Sequence, residues 1–111
     1  MQESLKTIKL ISELAAFVFK AGGKEFNVDF KEKNETITIT IKSHLENLAA
    51  SDLEKLRALD TPRQSQVEEY YWELAGENDQ YQELSLVGMM IDEAEFKYEN
   101  KILTISVSRH K

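Results

Sequence analysis

Few residues in this chain could do chemistry. It has two histidines, His44 and His110, no cysteine, and twenty carboxylates among 111 residues. Histidine exchanges protons near neutral pH and is a common metal ligand. Each of these two follows a strand-like run, and 66 positions separate them, which predicts surface positions at equivalent strand ends rather than one shared site. There is no glycine-rich phosphate loop, no nucleophile elbow and no histidine pair at metal spacing. Nothing marks two carboxylates as a general acid and base. Without cysteine there is no disulfide, thiolate ligand or thiol nucleophile, a composition that fits a reducing compartment. The expectation is a chain with no catalytic residue, no metal and no cofactor.

The cluster that remains is suited to binding. Tyr70, Tyr71 and Trp72 stand among Glu68, Glu69 and Glu73. If Val67, Tyr70, Tyr71, Leu74 and Ala75 face a core, the helical period turns Trp72 outward beside the acids. Tryptophan buries a large area with few rotatable bonds, and surrounding carboxylates steer a basic partner toward it. Glu68, Glu69, Trp72 and Glu73 are therefore the candidate protein-binding residues, the alternative being that Trp72 packs under the Leu45 to Leu59 segment as part of the core. Charge over the chain agrees. The net charge is -6, and residues 65–99 carry one basic and ten acidic side chains, a local balance of -9. Such a surface repels phosphate backbones, so a nucleic-acid partner is not expected.

The elements that would position these residues can be read from periodicity. Leu5, Ile8, Ile11, Ala15 and Val18, with Leu10, Leu14, Phe17 and Ala21 in an adjoining row, predict a helix with a broad apolar face that Gly22-Gly23 ends. Strict alternation follows: Phe26, Val28 and Phe30, then Ile37, Ile39 and Ile41 against Thr36, Thr38 and Thr40. Phe30 opposite Ile37 would leave Lys33-Asn34 as a two-residue hairpin loop. Residues 45–59 predict one broken helix or two short ones, with Ser51 and Glu54 as a capping box. Thr61-Pro62 starts a helix that Gly76 closes. An apolar run from Tyr81 to Ile91 suits a buried helix in which Gly88 allows close packing, and a second hairpin holds Ala94, Phe96 and Tyr98, then Leu103, Ile105 and Val107.

The two hairpins resemble each other. A shift of 66 positions lays Phe30-Lys31, Asn34, Thr38-Ile39 and His44 over Phe96-Lys97, Asn100, Thr104-Ile105 and His110 without a gap. A helix precedes each hairpin, so a helix-strand-strand unit occurs twice. The fold expected is α+β: a two-layer α/β sandwich, with helices on one face of a sheet made from two β-hairpins, in a single domain over residues 1–111. The outer face, with Thr36, Thr38, Thr40, Thr104, Ser106 and Ser108, is flat and weakly charged, a character that solvation accounts for and that would also support a homodimer. The first residues lack a basic region, and Ser12 and Glu13 interrupt the apolar stretch from Leu10 to Phe19. Neither a signal peptide nor a membrane span is expected, and the cytoplasm is the simplest location.

Helix, hairpin, helical middle, then Glu83-Leu84-Ser85-Leu86-Val87-Gly88-Met89-Met90-Ile91-Asp92 and a closing hairpin resembles the histidine-kinase-like ATPase (GHKL) superfamily in its order of elements. The resemblance implies a first helix with Glu-x-x-x-Asn for magnesium, an Asp-x-Gly-x-Gly loop for adenine and a glycine turn for phosphate. This chain keeps the glutamate as Glu13 but has Phe17 at the asparagine position. Ser43-His44-Leu45-Glu46-Asn47 stands where the adenine loop would be, and Gln82-Glu83-Leu84-Ser85 where the phosphate turn would be. The resemblance thus implies a degenerate domain without the nucleotide motifs. The leading expectation is a non-catalytic regulatory or adaptor domain that binds a protein. The alternatives are a small-ligand or nucleotide binder with a remnant cleft near Glu13, Phe17 and Leu84, and an immunity or inhibitor protein blocking a basic target.

Overall fold

The computed structural model describes residues 3–64 and 83–111. Helix α1 (Glu3–Lys20) begins with an acidic residue and ends with a basic one, the order that the helix dipole favours. The glycine pair stops it as expected. Gly22 adopts φ +102°, its N–H donates to the Phe19 carbonyl, and the Gly23 N–H donates to the Val18 carbonyl, the two bonds of a Schellman turn. Gly23 is also required for space, because a Cβ there would stand 2.5 Å from Val18 Cγ1.

Strands β1 (Phe26–Lys33) and β2 (Thr36–His44) pair with Lys33 opposite Thr36. The loop is Asn34-Glu35, both at positive φ as a type I′ turn requires, and not Lys33-Asn34. Phe30 accordingly faces Ile39 rather than Ile37. The error is two residues, and a slip of two leaves every side chain on its original face. The same correction applies to the second hairpin, where the loop is Asn100-Lys101 instead of Glu99-Asn100.

After β2, helix α2 (Ala50–Leu56) runs into a 3₁₀ turn at Arg57–Asp60, so the stretch is one helix with a tightened end. The capping box is not formed. Ala49, in extended conformation, is the N-cap with no side-chain bond, and Ser51 lies one residue inside the helix. Thr61 does not start a helix either: its hydroxyl donates back to the Ala58 carbonyl (2.7 Å), and residues 62–64 are not helical. The remainder of the predicted helix to Ala75 lies outside the described residues. Helix α3 (Glu83–Met89) then packs on the 3₁₀ turn through Gly88, where a Cβ would approach the Ala58 carbonyl to 2.5 Å. Strands β3 (Glu93–Glu99) and β4 (Ile102–His110) close the fold.

The four strands form one antiparallel sheet in the order β1-β2-β4-β3. Adding 66 to each residue converts the β1/β2 register into the β3/β4 register, so the sequence repeat is also a structural one. Thr40 lies opposite Ser106, its own repeat equivalent, and their hydroxyls meet at 3.0 Å. A pseudo-twofold axis therefore passes through that pair and relates the two hairpins.

Ile37, Ile39 and Ile41 of β2 and Leu103, Ile105 and Val107 of β4 are buried under Leu10, Leu14, Phe17 and Val18 of α1 and Leu84 and Val87 of α3. This is the helix-on-sheet sandwich expected. The outer strands behave differently. Val28, Phe30 and Phe96 lie on the helix-facing side by register, yet Val28 is 41% and Phe30 47% exposed, because the described helices lie over the central strands. On α1, Leu5 and Ile8, expected to be buried, are exposed, and the buried row is Thr7, Leu10, Leu14, Phe17 and Val18.

Ile39→Ala should lower the unfolding free energy by about 2 to 5 kcal/mol through the cavity it leaves, whereas Thr38→Ala on the opposite face should change it by less than about 0.5 kcal/mol. Urea titration of both variants checks the assignment of faces. Equal losses would contradict it.

Candidate functional site

Glu68, Glu69, Trp72 and Glu73 lie outside the described residues. The two histidines are placed at opposite ends of the central β2/β4 pair, His44 opposite Ile102 and His110 opposite Thr36. Both are exposed. His44 Nε2 lies 3.5 Å from Glu46, and His110 Nδ1 lies 2.9 Å from the Thr36 hydroxyl. Among the described residues no group of three or more histidine, aspartate or glutamate side chains could hold a metal. No described helix is long and apolar enough to cross a membrane.

Glu46, Lys101 and Lys111 have shifted pKa values, each through a surface ion pair. A hydrogen bond from Lys101 (2.9 Å) pulls the Glu46 carboxyl below its ordinary value and raises Lys101 in turn. Hydrogen bonding to Glu32 (2.9 Å) raises Lys111. These pairs fasten turns, with Lys101 in the second hairpin loop tied to the chain after β2 and Lys111 tied to β1. Nothing in them resembles an acid-base couple aimed at a substrate.

A charged group that sequence reasoning passed over sits at the end of the core. Arg109 is 1% exposed. Its Nε and Nη2 donate to the two carboxylate oxygens of Glu3, at 3.1 and 2.9 Å, and its Nη1 donates to the Met90 carbonyl at 2.7 Å. One guanidinium thus ties the start of α1 and the end of α3 to β4. The alternation of β4 could have revealed it, since Arg109 continues the inward row of Leu103, Ile105 and Val107. Beside it, Arg63 donates to Asp92 and to the His110 carbonyl, each at 2.8 Å, and the His110 N–H donates to Asp92. Every buried side-chain nitrogen or oxygen among the described residues has a hydrogen-bond partner.

The concave feature with an apolar lining is a trench between α1 and β1, about 390 Å³, formed chiefly by Ile8, Ile11 and Phe30. The helical period lines up Ile8, Ile11, Ala15 and Phe19 along one flank of α1. The β1 register sets Phe26, Val28 and Phe30 along the other wall. Along these two rows Phe19 meets Phe26 edge to face, centroids 5.1 Å apart, and Glu3 and the Glu32–Lys111 pair border the trench. Ile8 is 58% exposed. The trench offers apolar area and a polar rim, the composition of a binding surface, and no nucleophile with an adjacent base. Sequence reasoning placed Ile8, Ile11, Ala15, Val28 and Phe30 on apolar, core-facing rows. The available signal was the breadth of the apolar arc on α1, wider than one sheet contact can cover.

No protein-family model matches the chain, and comparison with curated proteins found no match.

Glu3→Ala removes the bidentate carboxylate from the buried guanidinium and should reduce stability by about 3 kcal/mol. Double replacement by Glu3→Leu and Arg109→Met should recover most of that loss. Denaturant unfolding of the two variants measures the difference, and equal stability of the single variant and wild type would show that the pair does not anchor α1.

Proposed function

We propose that this chain is a non-catalytic regulatory or adaptor domain that acts by binding a protein partner. The observation that supports it most is the apolar trench between α1 and β1, beside a sheet edge that no described strand covers. Exposed apolar patches of this kind on a soluble domain serve as interaction sites. The acidic stretch with Glu68, Glu69, Trp72 and Glu73 adds a second contact that favours a basic partner. The lack of cysteine accords with a cytoplasmic setting.

The GHKL-like order of elements enters this reading as a scaffold only. In support, Phe17, at the position of the family's metal-binding asparagine, is buried in the core, and Glu13 pairs with Lys9 (3.3 Å) one helical turn away. Calorimetry with magnesium-ATP should therefore give no binding isotherm, and phosphate release should not exceed the uncatalysed rate. Magnesium-dependent micromolar binding would replace this reading with a nucleotide-binding one.

Partner capture tests the reading directly. Tagged wild-type protein, incubated with extract of its native cell, should retain a defined protein at constant stoichiometry. Ile8→Asp in the trench and Trp72→Ala in the acidic stretch should each reduce retention at least about tenfold, as expected for loss of an interface anchor, with unchanged thermal unfolding. Retention that survives both substitutions would refute it.

A further inference from the structure

We infer that β1 is a self-pairing edge, through which two copies of this chain join into one eight-stranded sheet. Among the described residues β1 has a single neighbour, β2. Because Lys33 and Thr36 close a two-residue loop, their backbone groups bond to each other, and the alternate residues Phe26, Val28, Phe30 and Glu32 turn their N–H and C=O groups to the open side. Eight residues without proline present a pairing template of the kind that edges usually blunt. The side chains carried by those same residues include the exposed Val28 and Phe30. Backbone and apolar demand therefore coincide on one edge.

The occupant follows from charge. In an antiparallel homodimer whose helices lie on the same side of the joined sheet, the twofold axis must pass through a residue, because residues opposite one another share a face. Two such axes overlap most of β1. An axis through Asp29 sets the two copies of Asp29 opposite each other, a repulsive pair. An axis through Phe30 sets Asp29 opposite the partner's Lys31 and Lys31 opposite the partner's Asp29, with Phe30 against the partner's Phe30. In the single chain Lys31 Nζ and Asp29 Oδ2 form a long ion pair along the strand, at 3.7 Å, and both side chains are exposed. The strand is thus self-complementary in one register, with two cross-strand ion pairs and an aromatic pair at its centre.

The opposite edge carries the repeat equivalent, Glu95-Phe96-Lys97. Its inner side is less available, since Asp60 of the 3₁₀ turn borders Phe96 and Tyr98 is anchored by its hydroxyl to the Leu45 carbonyl. Pairing β1 with β3 of another copy is heterologous and grows into an open chain, whereas pairing β1 with β1 is isologous and stops at the dimer. In the closed dimer the two trenches flank one seam and are completed by Phe30 from each copy. That consequence for partner binding rests on the proposed function, but the dimer itself does not.

Sedimentation equilibrium of the full chain, with no partner present, decides it. Wild type should be dimeric. Asp29→Lys and Lys31→Asp should each weaken the dimer about tenfold or more by placing like charges opposite one another. The double variant carrying both substitutions should restore wild-type affinity, a result that mere loss of charge or of folding would not produce. Glu95→Lys and Ile8→Asp should leave the dimer intact, so failure of the trench and failure of the edge can be told apart. A wild-type monomer at all concentrations, single variants that dimerise normally, a double variant without rescue, or a dimer broken by Glu95→Lys would each overturn the inference.

Discussion

The ladder between β2 and β4 is where the two halves of this protein become one structure. Each half contributes a hairpin, and a two-stranded hairpin in water is marginal because one face of it has nothing to cover it. Pairing the two inner strands sets Ile37, Ile39 and Ile41 beside Leu103, Ile105 and Val107 and makes an apolar surface wide enough for α1 and α3 to lie on. At the middle of that ladder Thr40 meets Ser106, and the repeat folds back on itself about that point. The helices depend on this surface more than on their own propensity, since α3 is two turns long and could not persist alone.

The same arrangement explains what is left uncovered. Among the described residues, α1 and α3 lie over the two central strands. The inner faces of β1 and β3 project beyond them, and β1 does so with Val28 and Phe30 on its exposed inner side. An architecture that buries its centre by pairing therefore carries, at its rim, both an apolar trench and an open hydrogen-bonding edge. In this protein the candidate binding surface is a geometric consequence of how the core closes.

Exact symmetry is broken where the chain needs different anchors. Ser43 and Arg109 occupy equivalent repeat positions and are both buried on the inner face. Ser43 is small, donates to the Glu25 carbonyl, and sits so close to Gly23 that no side chain fits between them. Arg109 instead fills its end of the sheet and gathers Glu3 and the Met90 carbonyl. One end is closed by contact and the other by a buried guanidinium paired with a partly exposed carboxylate, whose desolvation is offset only while each donor keeps its acceptor.

Alternation and helical spacing were enough to establish both hairpins, the face each strand side chain takes, the glycine stop of α1 and the α+β sandwich, because these follow from periods of 2.0 and 3.6 residues in the chain itself. Local pattern could not choose between registers two residues apart, which are identical in facing, and so it misplaced both hairpin loops. It also could not place the α2 cap, where the Ala49 backbone prevailed over the Ser51 side chain. The acidic cluster at Glu68, Glu69, Trp72 and Glu73 was legible as a pattern, and its geometry lies outside the described residues. Only the tertiary structure decided that Phe30, which alternates just as Ile39 does, is exposed while Ile39 is buried. Burial depends on how many strands away the covering helix lies, and that distance is a property of the assembled sheet, not of any segment of the sequence.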